Sequence, residues 1–404
     1  MPRRDHRIDV PLDHADPGGE TIGLYAREVW REGGETLPFL VYLQGGPGSE
    51  SPRPNPWDQP AWIDRALRDF RLILLDQRGT GRSTPIGGID RIPGDTVQEK
   101  AERLTHYRAD AIVRDCELLR EHLGADRWSL LGQSFGGFTS TTYLCLAPDS
   151  LAAVHITGGL PAVGVPADTV YSATYAVMRE KSQRYFDRHP GDRDRFRAAL
   201  DLARDGAITL PGGDRLTPEL LRTIGSNLGM DGGAERLHFL LELDPMAPAF
   251  AHDVHALLPF SARNPIYTFL HESSCTDGGA SGWSAQRVRP DDFEADELLL
   301  TGEHIYPWHF EQRGALRQYA DLADLLAAHE WPRLYDEEAL RRADVPVAAC
   351  VYYDDAFVDR ELSLRTAGLL PRVHPWITNE HEHNGLRTSG ESVLDRLIGL
   401  AKGL

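Results

Sequence analysis

Trp128-Ser-Leu-Leu-Gly-Gln-Ser134-Phe-Gly-Gly137 is the stretch on which the architecture turns. Residues 128–131 are an apolar run of strand length, and residues 136–146 read as a helix. Between them Ser134 stands flanked by Gly132 and Gly136. A serine hydroxyl is a poor nucleophile until a base removes its proton. A tight strand-to-helix turn exposes that oxygen at the carboxyl edge of a sheet. The turn strains the backbone and crowds its neighbours, so the flanking positions must be glycine. The helix that follows also aims backbone N–H groups at a developing oxyanion. The competing reading is a glycine-rich turn with a serine N-cap. A chain with 38 glycines produces G-x-S-x-G by accident, so context has to decide.

Working outward, residues 38–43 form another apolar run, closed by Gln44-Gly45-Gly46-Pro47-Gly48. Residues 71–75 form a third, ending in Asp76-Gln-Arg-Gly, with helical spacing at 57–69 before it and 105–123 after it. Alternating strands and helices with continuous apolar strands predict a parallel sheet covered on both faces. Residues 7–10 and 21–30 alternate as strands around the turn-rich stretch 11–19.

Downstream the pattern breaks near Pro161. Residues 169–189, 192–204, 217–228, 234–243 and 310–340 are helical and charged. Strands return at 346–353 and 372–378, followed by a last helix at 391–402. The expected organisation is a sheet domain, 1–160 and 343–404, interrupted by a helical cap at 161–342.

Chain order supplies a second test. The α/β-hydrolase arrangement needs Ser, then Asp or Glu, then His, each on a loop after a strand. Asp354 and Asp355 follow the strand 346–353, and His383 follows the strand 372–378. Either aspartate could orient the imidazole. Asp355 is preferred because it lies further from the strand end and is freer to turn. The expected catalytic set is therefore Ser134, Asp355 and His383. The N–H groups of Gly45 or Gly46, with that of Phe135, are expected to form an oxyanion hole.

Two other patterns compete for attention. His381 and His383, beside Glu380 and Glu382, could grip a metal, but no complementary Cys/His cluster accompanies them, and no metal is expected. Asp76-Gln-Arg-Gly-Thr-Gly-Arg-Ser83 resembles a phosphate loop yet lacks its Gly-Lys-Ser/Thr ending. No cofactor is expected, and Asp76 and Arg78 read as a structural ion pair.

Composition narrows the class. The 404 residues are 41% apolar, ample for a core, with a net charge of −18. That charge disfavours nucleic acid and anionic membrane surfaces as partners. Four dispersed cysteines argue against a disulfide framework or a zinc site. The opening residues contain no apolar signal core and no segment reaches membrane-span length, so a cytoplasmic location is expected. Oligomeric state is not legible.

Across nearly the whole chain, these motifs resemble the proline iminopeptidases, or prolyl aminopeptidases, of the α/β-hydrolase superfamily. The resemblance rests on Val10-Pro-Leu-Asp-His14, Ala26-Arg-Glu-Val29, Gly45-Gly-Pro-Gly48, Asp76–Ser83 and Gly132-Gln-Ser-Phe-Gly-Gly137. It continues in Asn264-Pro-Ile-Tyr267, Leu270-His-Glu272, Thr301-Gly-Glu-His-Ile-Tyr-Pro-Trp308, Tyr353-Asp-Asp355 and Glu382-His-Asn-Gly-Leu-Arg387. It implies removal of an N-terminal residue, preferably proline, from small peptides with a free N-terminus. It also implies that Glu272 and Glu303, in the cap, bind the substrate's α-amine. Phe135, Tyr267, Phe269, Tyr306 and Trp308 would then wall a slot for the pyrrolidine ring. The alternatives are an esterase or a broader aminopeptidase on the same core and, ranked below them, a catalytically silent binding protein with this fold. The chain departs from the family pattern at Gln44, where His is usual, and at His304 and His309, where apolar residues are expected.

Overall fold

The computed structural model describes residues 1–55 and 57–403. Eight strands make one sheet in the order β1-β2-β4-β3-β5-β6-β7-β8. They are β1 Arg3–Pro11, β2 Thr21–Val29, β3 Phe39–Leu43, β4 Arg71–Asp76, β5 Trp128–Gln133, β6 Leu151–Thr157, β7 Val347–Tyr352 and β8 Val373–Thr378. From β4 through β8 each neighbouring pair runs parallel. The β1–β2 and β2–β4 pairs are antiparallel. This is the mostly parallel α/β-hydrolase sheet that the sequence implies.

Side-chain alternation explains why those strands are apolar throughout. Val41, Leu43, Ile73, Leu75 and Leu130 join the core beneath the helices Ala109–His122 and Phe135–Leu146. Their neighbours Leu40, Tyr42, Leu72, Leu74 and Leu131 face the helices Ala61–Asp69 and Ser392–Ala401. Both faces are dry, so neither can carry polar residues. Each buried aliphatic side chain contributes about 1.5–3 kcal/mol. The strand ends that carry the functional loops therefore hang from the most stable part of the molecule.

The sequence reading passes over β6. Ala152 and Ala153 are weak strand formers, and His155 interrupts the apolar run. Yet Val154 and Ile156 are buried between β5 and β7. Burial pushes the His155 pKa down to about 4, so this imidazole is a neutral core group. The helix expected at 57–69 starts only at Ala61, immediately after Pro60. That expected at 217–228 divides at Thr223 into an α-helix, Pro218–Arg222, and a 3₁₀ segment, Thr223–Gly229.

Asp76 and Arg78 do not pair with each other. The chain turns at the end of β4, where Thr80 N–H donates to Gln77 O, and sends the two side chains apart. Arg78 donates to Asp115 through Nε at 2.8 Å and Nη2 at 2.6 Å, and both side chains are fully buried. Asp76 accepts instead from Arg53 and from the Ser51 and Arg82 N–H groups.

Between β6 and β7 the described residues add helices but no strand to the sheet. The longest is Ala167–Arg188. None of the described helices is long and apolar enough to cross a membrane.

Candidate active site

Ser134 sits at φ 53°, ψ −124°, a conformation costly for any residue with a Cβ. Its side chain caps nothing, so the N-cap reading fails. The glycines are sterically compelled. A Cβ on Gly132 would lie 2.4 Å from Gly136 O, and one on Gly136 would lie 1.9 Å from Leu43 O. The Ser134 N–H donates to Thr157 O at 3.0 Å. The overlooked strand β6 thus anchors the elbow.

His383 and Asp355 meet on loops after β8 and β7. The His383 Nδ1 lies 2.8 Å from Asp355 Oδ2 and 3.1 Å from Oδ1. Asp355 Oδ1 also accepts the N–H groups of Phe357 and Val358, fixing the carboxylate. Asp354 turns away to Arg184 at 2.8 Å. Nδ1 therefore carries the proton donated to Asp355, which leaves Nε2 as the acceptor. Burial pushes the His383 pKa down. The charge and hydrogen bond of Asp355, with a smaller contribution from Glu303, outweigh that, and the net shift is upward. Phe357 packs edge-on to the imidazole.

Gly45 lies against the serine, since a Cβ there would come within 2.9 Å of Ser134 Cβ. Gly46 and Phe135 border the same cavity as Ser134. As first residue of its helix, Phe135 has an N–H without an intrahelical acceptor. Gln44 braces this loop: its Oε1 accepts from Tyr42 Oη at 2.9 Å, and its carbonyl accepts from Gln77 Nε2 at 3.1 Å.

Two cavities meet at Ser134. The inner one, about 430 Å³, is walled by Phe135, Phe138, Val170, Tyr171 and Phe357. The outer one, about 680 Å³, is bordered by Gln44, Ser49, Asn264, His383, Asn384 and Arg387. Ser134, Gly46 and Glu303 border both.

Glu303 is held in place from two sides. Tyr267 Oη donates to its Oε1. The His271 Nε2 donates to its backbone oxygen at 2.9 Å. Burial lowers the His271 pKa, keeping that imidazole neutral. His271 borders the inner cavity, and no role is expected of it from sequence, although it stands beside Glu272. Glu272 lies apart from Glu303, on a small separate cavity with Phe269 and Trp283. Its Oε1 accepts the Ala285 N–H at 2.9 Å, and among the described residues Oε2 is buried without a partner. Burial pushes its carboxyl pKa up. The fields of both glutamates converge on Tyr171.

The expected aromatic slot is only partly as read. Phe135 and Tyr267 border the cavities. Phe269 packs on Tyr319, and Tyr306 stacks with Trp308 away from them. The inner cavity's other aromatic walls are Phe138, Tyr171 and Phe357, which no motif marks. His304 stacks flat on Tyr175, and His309 stacks on Trp308. Burial takes both imidazoles to a pKa of about 3, so they serve as neutral packing groups. His381 faces Asp231 at 3.6 Å. Among the described residues, the group with metal-ligand spacing is His189, Asp192 and His238, not the His381 region.

The α/β-hydrolase fold family model matches residues 38–209. A proline iminopeptidase of Aeromonas sobria is 46% identical over 98% of this chain and 95% of its own length. The proline iminopeptidase aneH of Aspergillus aculeatus is 32% identical over 98% of this chain and 92% of its own. A tripeptidyl aminopeptidase of Streptomyces coelicolor is 26% identical over 35% of this chain and 32% of its own.

Proposed function

The chain belongs to the proline iminopeptidase family, and we propose on that premise that Ser134, His383 and Asp355 are its nucleophile, general base and orienting acid. The enzyme is a prolyl aminopeptidase, a serine hydrolase acting on peptides. What supports the assignment is one arrangement. Ser134 stands where a narrower chamber rich in aromatic walls meets a broader, more open one, with Glu303 at the junction.

In the first step His383 Nε2 takes the Ser134 proton while Oγ attacks the first peptide carbonyl. Negative charge moves onto the carbonyl oxygen, which the N–H groups of Phe135 and of Gly45 or Gly46 stabilise. The imidazolium then protonates the leaving nitrogen, the C–N bond breaks, and an ester remains on Ser134. Water, activated by the same imidazole, hydrolyses the ester and regenerates the hydroxyl. Asp355 holds the imidazole tautomer throughout.

The inner chamber takes the pyrrolidine ring. Residues 161–342 act as a cap that closes it, supplying Val170, Tyr171, His271 and Glu303. Glu303 binds the secondary ammonium directly, because an amine leaving water needs a negative partner and acceptors. Glu272, behind the chamber wall, adds negative potential. This pairing restricts the enzyme to peptides with a free N-terminus.

The test is turnover of proline β-naphthylamide and labelling by a fluorophosphonate. Wild type is expected to do both, and Ser134→Ala neither, with its folding intact. Labelling that persists in Ser134→Ala refutes the nucleophile.

A further inference from the structure

We propose that Arg387 is a binding site for the C-terminal carboxylate of the substrate, which makes short peptides with a free C-terminus the preferred class. The proposal rests on the assignment of Ser134 and on the acyl group lying in the inner chamber.

If proline occupies the apolar chamber, the leaving portion of the peptide extends into the outer cavity. The side chains that border this cavity away from Ser134 are chiefly neutral and polar: Gln44, Ser49, Asn264 and Asn384. Met230 adds an apolar side chain, and Arg387 adds a positive charge. It lies in the short helix Gly385–Thr388, and its own N–H donates to Asn384 O at 2.8 Å. The side chain is exposed, and among the described residues its guanidinium pairs with no carboxylate. A guanidinium without a carboxylate partner at the border of this cavity leaves its positive charge open to a ligand. The Arg387 guanidinium interacts with the Tyr42 hydroxyl both by charge and side chain to side chain, and its field reaches His383, so it stands close to the chemistry.

The charge order along the cleft then matches a zwitterionic peptide. The ammonium meets Glu303 at the junction, the scissile carbonyl meets Ser134, and the carboxylate meets a planar fork of N–H donors. A C-terminal amide keeps the peptide's shape and loses the charge. A long peptide places its carboxylate beyond reach. The cation also lies where the leaving portion must sit, so it selects on that portion without touching the proline ring.

The experiment compares Pro-Ala and Pro-Ala-Ala, each as free acid and as C-terminal amide, with proline β-naphthylamide as a reference lacking any carboxylate. For wild type, kcat/KM of the better free acid should exceed that of its amide by about fivefold, the worth of one partly solvated ion pair. The preference should reside in KM and shrink as salt is added. In Arg387→Gln the acid-to-amide ratio should fall to about one, and Arg387→Lys should restore part of it. A merely structural role would lower acid and amide alike and leave the ratio intact. Equal rates on acid and amide by a wild-type enzyme that turns over proline β-naphthylamide would overturn the carboxylate site alone. Failure of wild type on every substrate would overturn the parent assignment and this proposal with it.

Discussion

Nδ1 of His383 lies 2.8 Å from Oδ2 of Asp355, and both side chains are buried. The pair fixes the direction of the pH dependence. The proposed mechanism needs Nε2 unprotonated, and Asp355 more than offsets the lowering effect of burial on the imidazole pKa. The acid limb of kcat/KM is therefore expected above pH 6.5, rising with pH as the imidazolium is lost. Asp355→Asn removes the raising charge and leaves burial in place, so its limb should move below that of wild type. Its kcat should fall by about 1,000- to 10,000-fold, because the tautomer is no longer imposed. A pH–rate profile of both enzymes checks this, and an unmoved limb in the variant would contradict it.

Glu303 is the carboxylate that borders both chambers, whereas Glu272 sits behind the wall. Glu303→Gln should raise KM for proline β-naphthylamide by about 10- to 100-fold, the loss of one charge-assisted hydrogen bond. A neutral p-nitrophenyl ester should suffer far less. Glu272→Gln should raise KM by only about threefold, since it contributes through the field alone. Steady-state kinetics on the two substrate types decides, and comparable losses on the ester would count against the amine role.

Arg78 and Asp115 form a fully buried pair, with the arginine also donating to Leu12 O and His106 O. Asp115→Ala leaves that guanidinium without its counter-charge and should destabilise the fold by about 3–5 kcal/mol. Urea unfolding followed by tryptophan fluorescence measures it. A loss under about 1 kcal/mol would show that water reaches the site.

Much of this was legible because the chemistry constrains the sequence locally. Gly132 and Gly136 can only be glycine, and Asp355 and His383 must follow strands, so motif and chain order led to them. The strand β6 was not legible, because two alanines and a histidine fill it and its burial comes from flanking strands. Nor was the partner of Arg78, since Asp115 lies on a helix distant in sequence while Asp76 stands two residues away. The chamber walls Phe138, Tyr171 and Phe357 were equally hidden. Each comes from a different element, and an aromatic residue in isolation looks the same whether it lines a cavity or fills a core. His271 was the nearest miss, because it adjoins Glu272 in a motif already singled out.

The loop carrying His383 is fastened to the cap as well as to the sheet. The His383 N–H donates to Gly229 O at 3.0 Å, and the Asp231 carboxylate accepts the Glu382 N–H at 2.8 Å and the Thr388 hydroxyl. The Asp231 N–H in turn donates to Asn384 Oδ1 at 2.8 Å, and Lys181 pairs with Glu382 at 2.6 Å. Asp231 bonds to Glu382, Asn384 and Thr388, around His383 and not to the proposed triad, so it is a positioning residue. Asp231→Ala frees the Glu382 N–H and the Thr388 hydroxyl while keeping the N–H bond to Asn384, and small misplacements of a base are costly. Its kcat should fall by about tenfold with KM nearly unchanged, because the inner chamber and Glu303 are left alone. Asp231→Asn keeps one acceptor oxygen and should recover part of the rate. A variant that instead lost affinity at constant kcat would show that this contact shapes the cap and not the base.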